Sequence, residues 1–298
     1  MSAAVSADSI REAARGLAGV AVRTALLPLP PERALAGDAW IKGEHLQPVG
    51  AFKIRGAFTA LRRLGEAGRA RGVITHSSGN HGQAVAFAAR QFGIPAVIVM
   101  PADAPRVKQE GVRRHGGEIV FVQHRSERAP RCEELAAARG MAVIPPYENA
   151  DVIAGQATCG LEVLEEMPGV HTIVVPVGGG GLIAGIAAAV RWFAPGVRVV
   201  AVEPEGAPKL ARALEAGHPV TIEHPHSIAD GLLPQAIGTL PFEVMRGVVT
   251  EAVQVPDDEI ATAVRYLHHR TGQRIEPSGA ATTAALLSGR VTAAGPVV

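Results

Sequence analysis

A chain of 298 residues, 47% of them hydrophobic, buries a substantial core and is long enough for two lobes. Its 29 basic and 28 acidic residues cancel to a formal charge of +1 with no long like-charge run, which excludes the electrostatic footprint of a nucleic-acid or anionic-membrane binder and points to small-molecule partners. Cys132 and Cys159 exclude a disulfide framework and match no metal-ligand spacing, and the longest apolar run, Leu182 to Val190, is too short to span a bilayer, so a cytoplasmic protein is expected.

In chain order, Ser9-Ile10-Arg11-Glu12 has capping-box spacing ahead of an amphipathic run. Next comes Gly50-Ala51-Phe52-Lys53-Ile54-Arg55-Gly56-Ala57, which sets a primary amine beside an aromatic ring at the mouth of a helix. A desolvated lysine attacks carbonyls, and an adjacent Phe can lie flat against the ring of a captured aldehyde. Taken alone, Lys after Phe is more often a solvated helix start.

From Gly72 onward, short β-branched runs alternate with Ala-rich helical stretches, the pattern of crossover units on a parallel sheet. The predicted strands are Val73 to Thr75, Ala96 to Met100, Glu118 to Val122, Met141 to Ile144, Thr172 to Val177, Arg198 to Val202 and Glu251 to Val255. Most are apolar throughout, as strands buried on both faces must be. The Pro-rich Ile144-Pro145-Pro146-Tyr147 is the natural break. It divides the chain into a small lobe, 72–147, and a large lobe made of 1–71 plus 148–298.

Two strand-to-helix turns suit anions. Ser77-Ser78-Gly79-Asn80-His81-Gly82 precedes a helix from Gln83 to Gln91 and adds two hydroxyls, an amide and an imidazole to the backbone N–H groups, which suits an amino-acid carboxylate. The bland alternative is a polar N-cap with an idle surface histidine. Gly178-Gly179-Gly180-Gly181 precedes a helix from Leu182, where unshielded N–H groups meet a positive helix end and cradle phosphate. Gly179, Gly181 and Ala184 also fit a dinucleotide fingerprint, with Glu203 at the end of the next strand for a ribose, so a nicotinamide-dinucleotide oxidoreductase is the rival of another class.

Taken together, GAFKIRGA (50–57), SSGNHGQA (77–84), VIAGQAT (152–158), PVGGGGLIAGIA (176–187), SIADG (227–231) and EPSGA (276–280) resemble the fold-type II pyridoxal-phosphate enzymes, specifically the serine racemase and threonine/serine dehydratase group. The resemblance runs from about Leu17 to Leu287. It implies an α/β fold of two lobes with parallel-rich twisted sheets flanked by helices, like the tryptophan synthase β-subunit. It also implies pyridoxal 5'-phosphate as cofactor, an amino-acid substrate and a homodimer. By that resemblance Lys53 captures the cofactor aldehyde, Phe52 packs on its ring and Asn80 bonds its hydroxyl. Gly178, Gly179, Gly180, Gly181 and Leu182 hold the phosphate, while Gly231 and Glu276 line the cofactor. Ser77, Ser78, Asn80 and His81 meet the substrate carboxylate, with Ser78 on the ring face opposite Lys53.

The implied reaction is dehydration and deamination of an L-β-hydroxy amino acid to a 2-oxo acid and ammonia, with racemisation as the alternative. Ser78 bears on this choice, because dehydrating members often carry Ala there and racemase-like members Ser. Three departures stand out. The family sets a Ser or Thr of a last strand against the pyridine nitrogen, whereas this sequence stops at Gly295-Pro296-Val297-Val298, and Ser288 falls a helix too early to substitute. Relatives with a cation site use Glu, a carbonyl and Asp; here Glu203 and Ala207 remain but Lys209 stands where Asp is expected, so no metal is expected. No C-terminal regulatory domain follows, so effector control is not expected. Serine, threonine, 3-hydroxyaspartate and arylserines are all candidate substrates. Arg125, Arg128 and Arg131 lie in a region that reaches towards a second carboxylate, although a solvated helix start explains them as well.

Overall fold

The computed structural model describes residues 5–32, 38–77 and 79–298, with only the backbone at Arg125. Ser78 therefore lies outside the described residues. The amino-terminal part contributes α1 (Ala7–Gly16), β1 (Leu26–Pro28), β2 (Trp40–Lys42), α2 (Lys53–Arg63) and α3 (Gly65–Arg69). Then follow β3 (Val73–His76), α4 (Asn80–Gln91), β4 (Ala96–Pro101), α5 (Arg106–Arg114), β5 (Glu118–Val122), α6 (Arg128–Arg139) and β6 (Ala142–Val143). The remainder comprises α7 (Ala150–Glu166), β7 (Thr172–Pro176), α8 (Gly181–Phe193), β8 (Arg198–Pro204) and α9 (Lys209–Ala216). It closes with α10 (Thr239–Met245), β9 (Val249–Val255), α11 (Asp257–Thr271) and α12 (Pro277–Leu287).

Two parallel sheets organise the molecule, in the orders β5-β4-β3-β6 and β7-β8-β9. Their strands are apolar because successive side chains alternate into different cores. In β4, Ile98 and Met100 pack on one side while Val97 and Val99 pack on the other. In β7 and β8, Ile173, Val175, Val199 and Ala201 face α7 and α8, whereas Val174, Val200 and Val202 face α11 and α12.

All seven strand boundaries fall within two residues of expectation, and Met141 to Ile144 shortens by one residue at each end to Ala142–Val143. The antiparallel pair β1–β2 had no sequence signal, being three residues in each strand. Val297 bridges both Ala39 and Thr172, so the last two residues lie between β2 and β7. The expected capping box is displaced. Ser6 is the N-cap and its Oγ accepts from Ser9 N at 3.1 Å, while Glu12 reaches Arg63. A residue with a stronger ionic partner does not fold back on its own helix start.

The packing that carries Lys53 depends on missing side chains. A Cβ on Gly155 would lie 2.6 Å from Gly56 Cα, and one on Gly56 2.7 Å from the Val152 carbonyl, so α2 and α7 cross backbone to backbone. A Cβ on Gly185 would likewise lie 2.6 Å from Ala157 N, fixing α8 against the far side of α7. Asn149 caps α7, its Oδ1 accepting from Asp151 N at 2.8 Å and Val152 N at 3.0 Å.

Candidate active site

Lys53 opens α2, and its Nζ donates to the Pro146 carbonyl at 2.8 Å while lying 5.3 Å from the Phe52 ring centroid. Burial strips water from the ammonium and lowers its pKa from 10.5 to about 8. About a tenth of it is then free amine at pH 7, against fewer than one part in a thousand for a solvated lysine. That is the form that attacks a carbonyl.

Arg55, one of the largest fully buried side chains, anchors the same helix turn. Its guanidinium grips Glu44 through Nε at 2.7 Å and Nη2 at 2.8 Å, and Glu162 through Nη1 at 2.6 Å and Nη2 at 2.8 Å. Thr158 Oγ1 accepts from Nη1 at 3.1 Å. Lys42 joins the cluster at 2.8 Å from Glu162. The motif therefore contains two cations of opposite character. Among the described residues Lys53 has no counter-ion, and Arg55 has two.

The turn after β3 feeds α4, which begins at Asn80, three residues earlier than the sequence pattern placed it. Gly79 N donates to Ser77 Oγ at 3.3 Å, and Asn80 Nδ2 donates to Glu276 Oε1 at 2.8 Å. Asn80 and Glu276, distant in sequence, are thus direct partners. Glu276 is the N-cap residue of α12, and burial, followed by the nearby Asp230, raises its carboxyl pKa. His81 differs from expectation. Its side chain is 2% exposed, and its Nε2 lies 3.0 Å from the Ile144 carbonyl. A carbonyl only accepts, so Nε2 carries the proton and Nδ1, buried with no partner among the described residues, is a bare acceptor. Burial, reinforced by the Lys53 charge, lowers its pKa to about 3. The neutral ring therefore holds the 144–146 segment, and only its backbone N–H remains to meet a carboxylate.

Ile144 to Tyr147, expected to be a lobe boundary, touches Lys53, His81 and the glycine loop. Pro146 receives Lys53, and the Tyr147 ring occupies the space a side chain on Gly179 would fill. Gly180 has φ +96°, which favours glycine, and a Cβ there would lie 2.9 Å from Pro241 Cβ. A Cβ on Gly178 would lie 2.8 Å from the Gly231 carbonyl, and Gly231 N donates to the buried Ser278 Oγ at 3.0 Å. The backbone of Gly178 to Leu182 therefore runs bare into the start of α8, whose first-turn N–H groups have no intrahelical acceptor. That donor set fits a phosphate, and the desolvated amine of Lys53 fits an aldehyde.

The dinucleotide alternative fails at Glu203. This carboxylate is fully buried, and accepts from Leu210 N at 2.8 Å, Ala211 N at 3.0 Å and Lys209 Nζ at 3.1 Å. Three protein donors and complete burial leave it no open face towards a ribose. Lys209, equally buried, also donates to the Ala207 carbonyl at 3.1 Å and the Leu232 carbonyl at 3.0 Å. Its ammonium sits among one carboxylate and two carbonyls, an oxygen set of the kind that binds hard cations. Burial lowers its pKa, and Glu203 opposes that.

Of the three arginines considered for a second carboxylate, Arg131 pairs with Glu134 at 2.5 Å on the surface of α6. Arg128 lies near enough to His76 and Tyr147 for its charge to act on both, secondary to their burial. The side chain of Arg125 lies outside the described residues, as does Ser78. Sequence reading missed Arg55, Pro146, Tyr147 and Ser278 as site residues; the steric demand of the glycine loop for a ring-sized neighbour was the only available signal.

Comparison with known proteins agrees with this geometry. The sequence model of the family described as "Pyridoxal-phosphate dependent enzyme" matches residues 17–298. A serine racemase of Oryza sativa subsp. indica is 40% identical over 290 residues, covering 96% of this chain and 84% of that protein. An L-threonine ammonia-lyase of Thermotoga maritima is 39% identical over 289 residues, covering 95% of this chain and 71% of that protein. The solved structure of maize serine racemase superposes with a TM-score of 0.95 at 37% identity, covering 99% of this chain and 92% of that one.

Proposed function

The chain belongs to the pyridoxal-phosphate-dependent enzyme family, and on that premise we propose that it converts an L-β-hydroxy amino acid to a 2-oxo acid and ammonia. The observation that carries this reading is that one desolvated amine, Lys53, lies where the starts of α4 and α8 converge through Ile144, Pro146 and Tyr147.

Pyridoxal phosphate, when bound, supplies an electron-accepting ring that stabilises the charge left at Cα when its proton departs. Lys53 would hold the cofactor aldehyde, and its amine would be the base that takes the α-proton. Gly178 to Leu182 hold the phosphate through backbone N–H groups. Phe52 would support the ring, Asn80, partnered by Glu276, would bond its hydroxyl, and Gly231 would line the site. Ser77, Gly79 and Asn80 orient the substrate carboxylate. The β-hydroxyl leaves as water with the α-proton, and hydrolysis of the resulting enamine returns that water and releases ammonia. Two lobes, 72–147 and the rest, a homodimer and a cytoplasmic location complete the reading; the separate sheets support the first of these, and among the described residues no helix is long and apolar enough to cross a membrane.

Racemisation is the second reading, favoured by the racemase relative and by the identity of Ser78. Lys53 and Ser78 acting from opposite faces would serve it, whereas elimination from the L-substrate needs mainly Lys53 as base. Chiral analysis in heavy water with 2-oxo acid assay separates the two. Ser78→Ala is expected to abolish D-enantiomer formation and keep most 2-oxo acid formation. D-enantiomer outpacing 2-oxo acid in the unmodified enzyme would overturn the lyase assignment.

A further inference from the structure

Lys108 and Asp230 meet across the space between the two sheets. Lys108 lies in α5, which packs on α4 and β5, while Asp230 opens the 3₁₀ turn Asp230–Leu232, which packs on α12. A second contact crosses alongside, from the Asn80 amide to Glu276. The Lys108 ammonium lies 4.0 Å from the point where a side chain on Gly79 would begin. Because Gly79 has none, no side chain at that position comes between the ammonium and the backbone that starts α4.

The ion pair is lopsided, with Lys108 20% exposed and Asp230 50%. A pair whose acid is half in water contributes little to stability, so another carboxylate replaces that acid at small cost. The Glu276 carboxyl lies near enough to feel both members of the pair: burial raises its pKa, the Asn80 hydrogen bond lowers it, and then the Asp230 charge raises it and the Lys108 charge lowers it. One ammonium thus pairs with one acid and acts on a second, beside a turn whose N–H groups supply only partial charge.

We propose that Lys108 is a substrate-binding residue whose ammonium exchanges Asp230 for a carboxylate of the substrate. This rests on the reading of the site as one for amino acids. The carboxylate is either the α-carboxylate, common to every amino acid, or a second one on the β-substituent, as in 3-hydroxyaspartate, and glycine and L-aspartate distinguish the two.

Dissociation constants of both ligands are measured on the holoenzyme from the change in its visible absorption, with thermal upshift as an independent readout. Lys108→Gln is expected to weaken binding about tenfold or more, the value of a charged hydrogen bond to a carboxylate. Lys108→Arg is expected to keep most of the affinity, and Asp230→Asn to increase it by freeing the ammonium. Equal losses for glycine and L-aspartate in Lys108→Gln assign the α-carboxylate; a loss confined to L-aspartate assigns the second. Unchanged affinity for both ligands overturns the proposal, as does an equal loss in Lys108→Gln and Lys108→Arg accompanied by a lower melting temperature. If neither ligand perturbs the unmodified holoenzyme, the amino-acid reading fails, and thermal upshift by succinate then decides Lys108 separately: an upshift lost in Lys108→Gln supports it, and one retained refutes it.

Discussion

Replacing Arg55 with Met tests whether the buried ionic cluster holds α2 in place. Arg55 is 1% exposed on its side chain, Glu44 13% and Glu162 14%, and each carboxylate takes two N–H bonds from the one guanidinium. Removing one partner of a buried pair costs about 3–5 kcal/mol, because the charge left behind keeps its desolvation penalty. Lys42 still compensates Glu162, and Thr24 and Gln47 still bond Glu44, which keeps the loss near that range despite two orphaned acids. At about 2–4 °C per kcal/mol for a chain of this order of size, the melting temperature falls by roughly 10 °C. The pH dependence has a definite sign. In the native protein, burial raises the Glu44 pKa but the hydrogen bonds and charge of Arg55 outweigh it, leaving a lowered value. This stability is present above the ordinary carboxylate range and lost as pH falls through the lowered folded pKa. In Arg55→Met only the Thr24 and Gln47 hydrogen bonds still oppose burial, which is the largest influence, so the folded pKa rises above the unfolded one and the deficit is greatest at neutral pH and narrows towards pH 5. Calorimetry of Arg55→Met and of the triple variant with Glu44→Gln and Glu162→Gln measures this. The triple variant is expected to regain at least half the loss. A single variant within about 1 kcal/mol of the parent, or a triple variant no better than the single, would refute the desolvation argument.

Lys53→Ala is expected to lose the visible absorption of the holoenzyme. Capture of pyridoxal phosphate by the apoprotein should accelerate as pH rises through about 8, since burial sets the Lys53 pKa there; stopped-flow absorbance across pH 6–11 checks this, and a midpoint near 10.5 contradicts it. Activity is expected to survive chelators because the Lys209 ammonium already neutralises Glu203; loss restored by magnesium or calcium would show that an ion is needed. Gly179→Ala forces a Cβ into the Tyr147 ring and should weaken retention of pyridoxal phosphate at least tenfold, read by equilibrium dialysis, with little change if the loop tolerates the methyl group.

The parallel sheets and the glycine loop were legible in the sequence because their signals are local. A strand buried on both faces must be apolar over its whole length, as Ala96 to Met100 is, and a backbone packed closely at a helix start must shed side chains, as Gly178 to Gly181 do against Gly231, Tyr147 and Pro241. The Lys53 segment stood out because its aromatic neighbour and flanking glycines lie together, although alone it reads as a solvated helix start and only the other motifs raised it above that. Tertiary structure alone decided which charges are neutralised. Within one turn of α2, Lys53 acquires a single carbonyl and a pKa near 8, while Arg55 acquires two carboxylates. His81 turns inward to a carbonyl, and Glu203 is claimed by Lys209 and the start of α9, which removes it from any ribose. Partners that set a side chain's charge come from anywhere in the chain, as Asn80 and Glu276 do, and desolvation depends on what the completed fold places around a group, so neither can be read from neighbours in sequence.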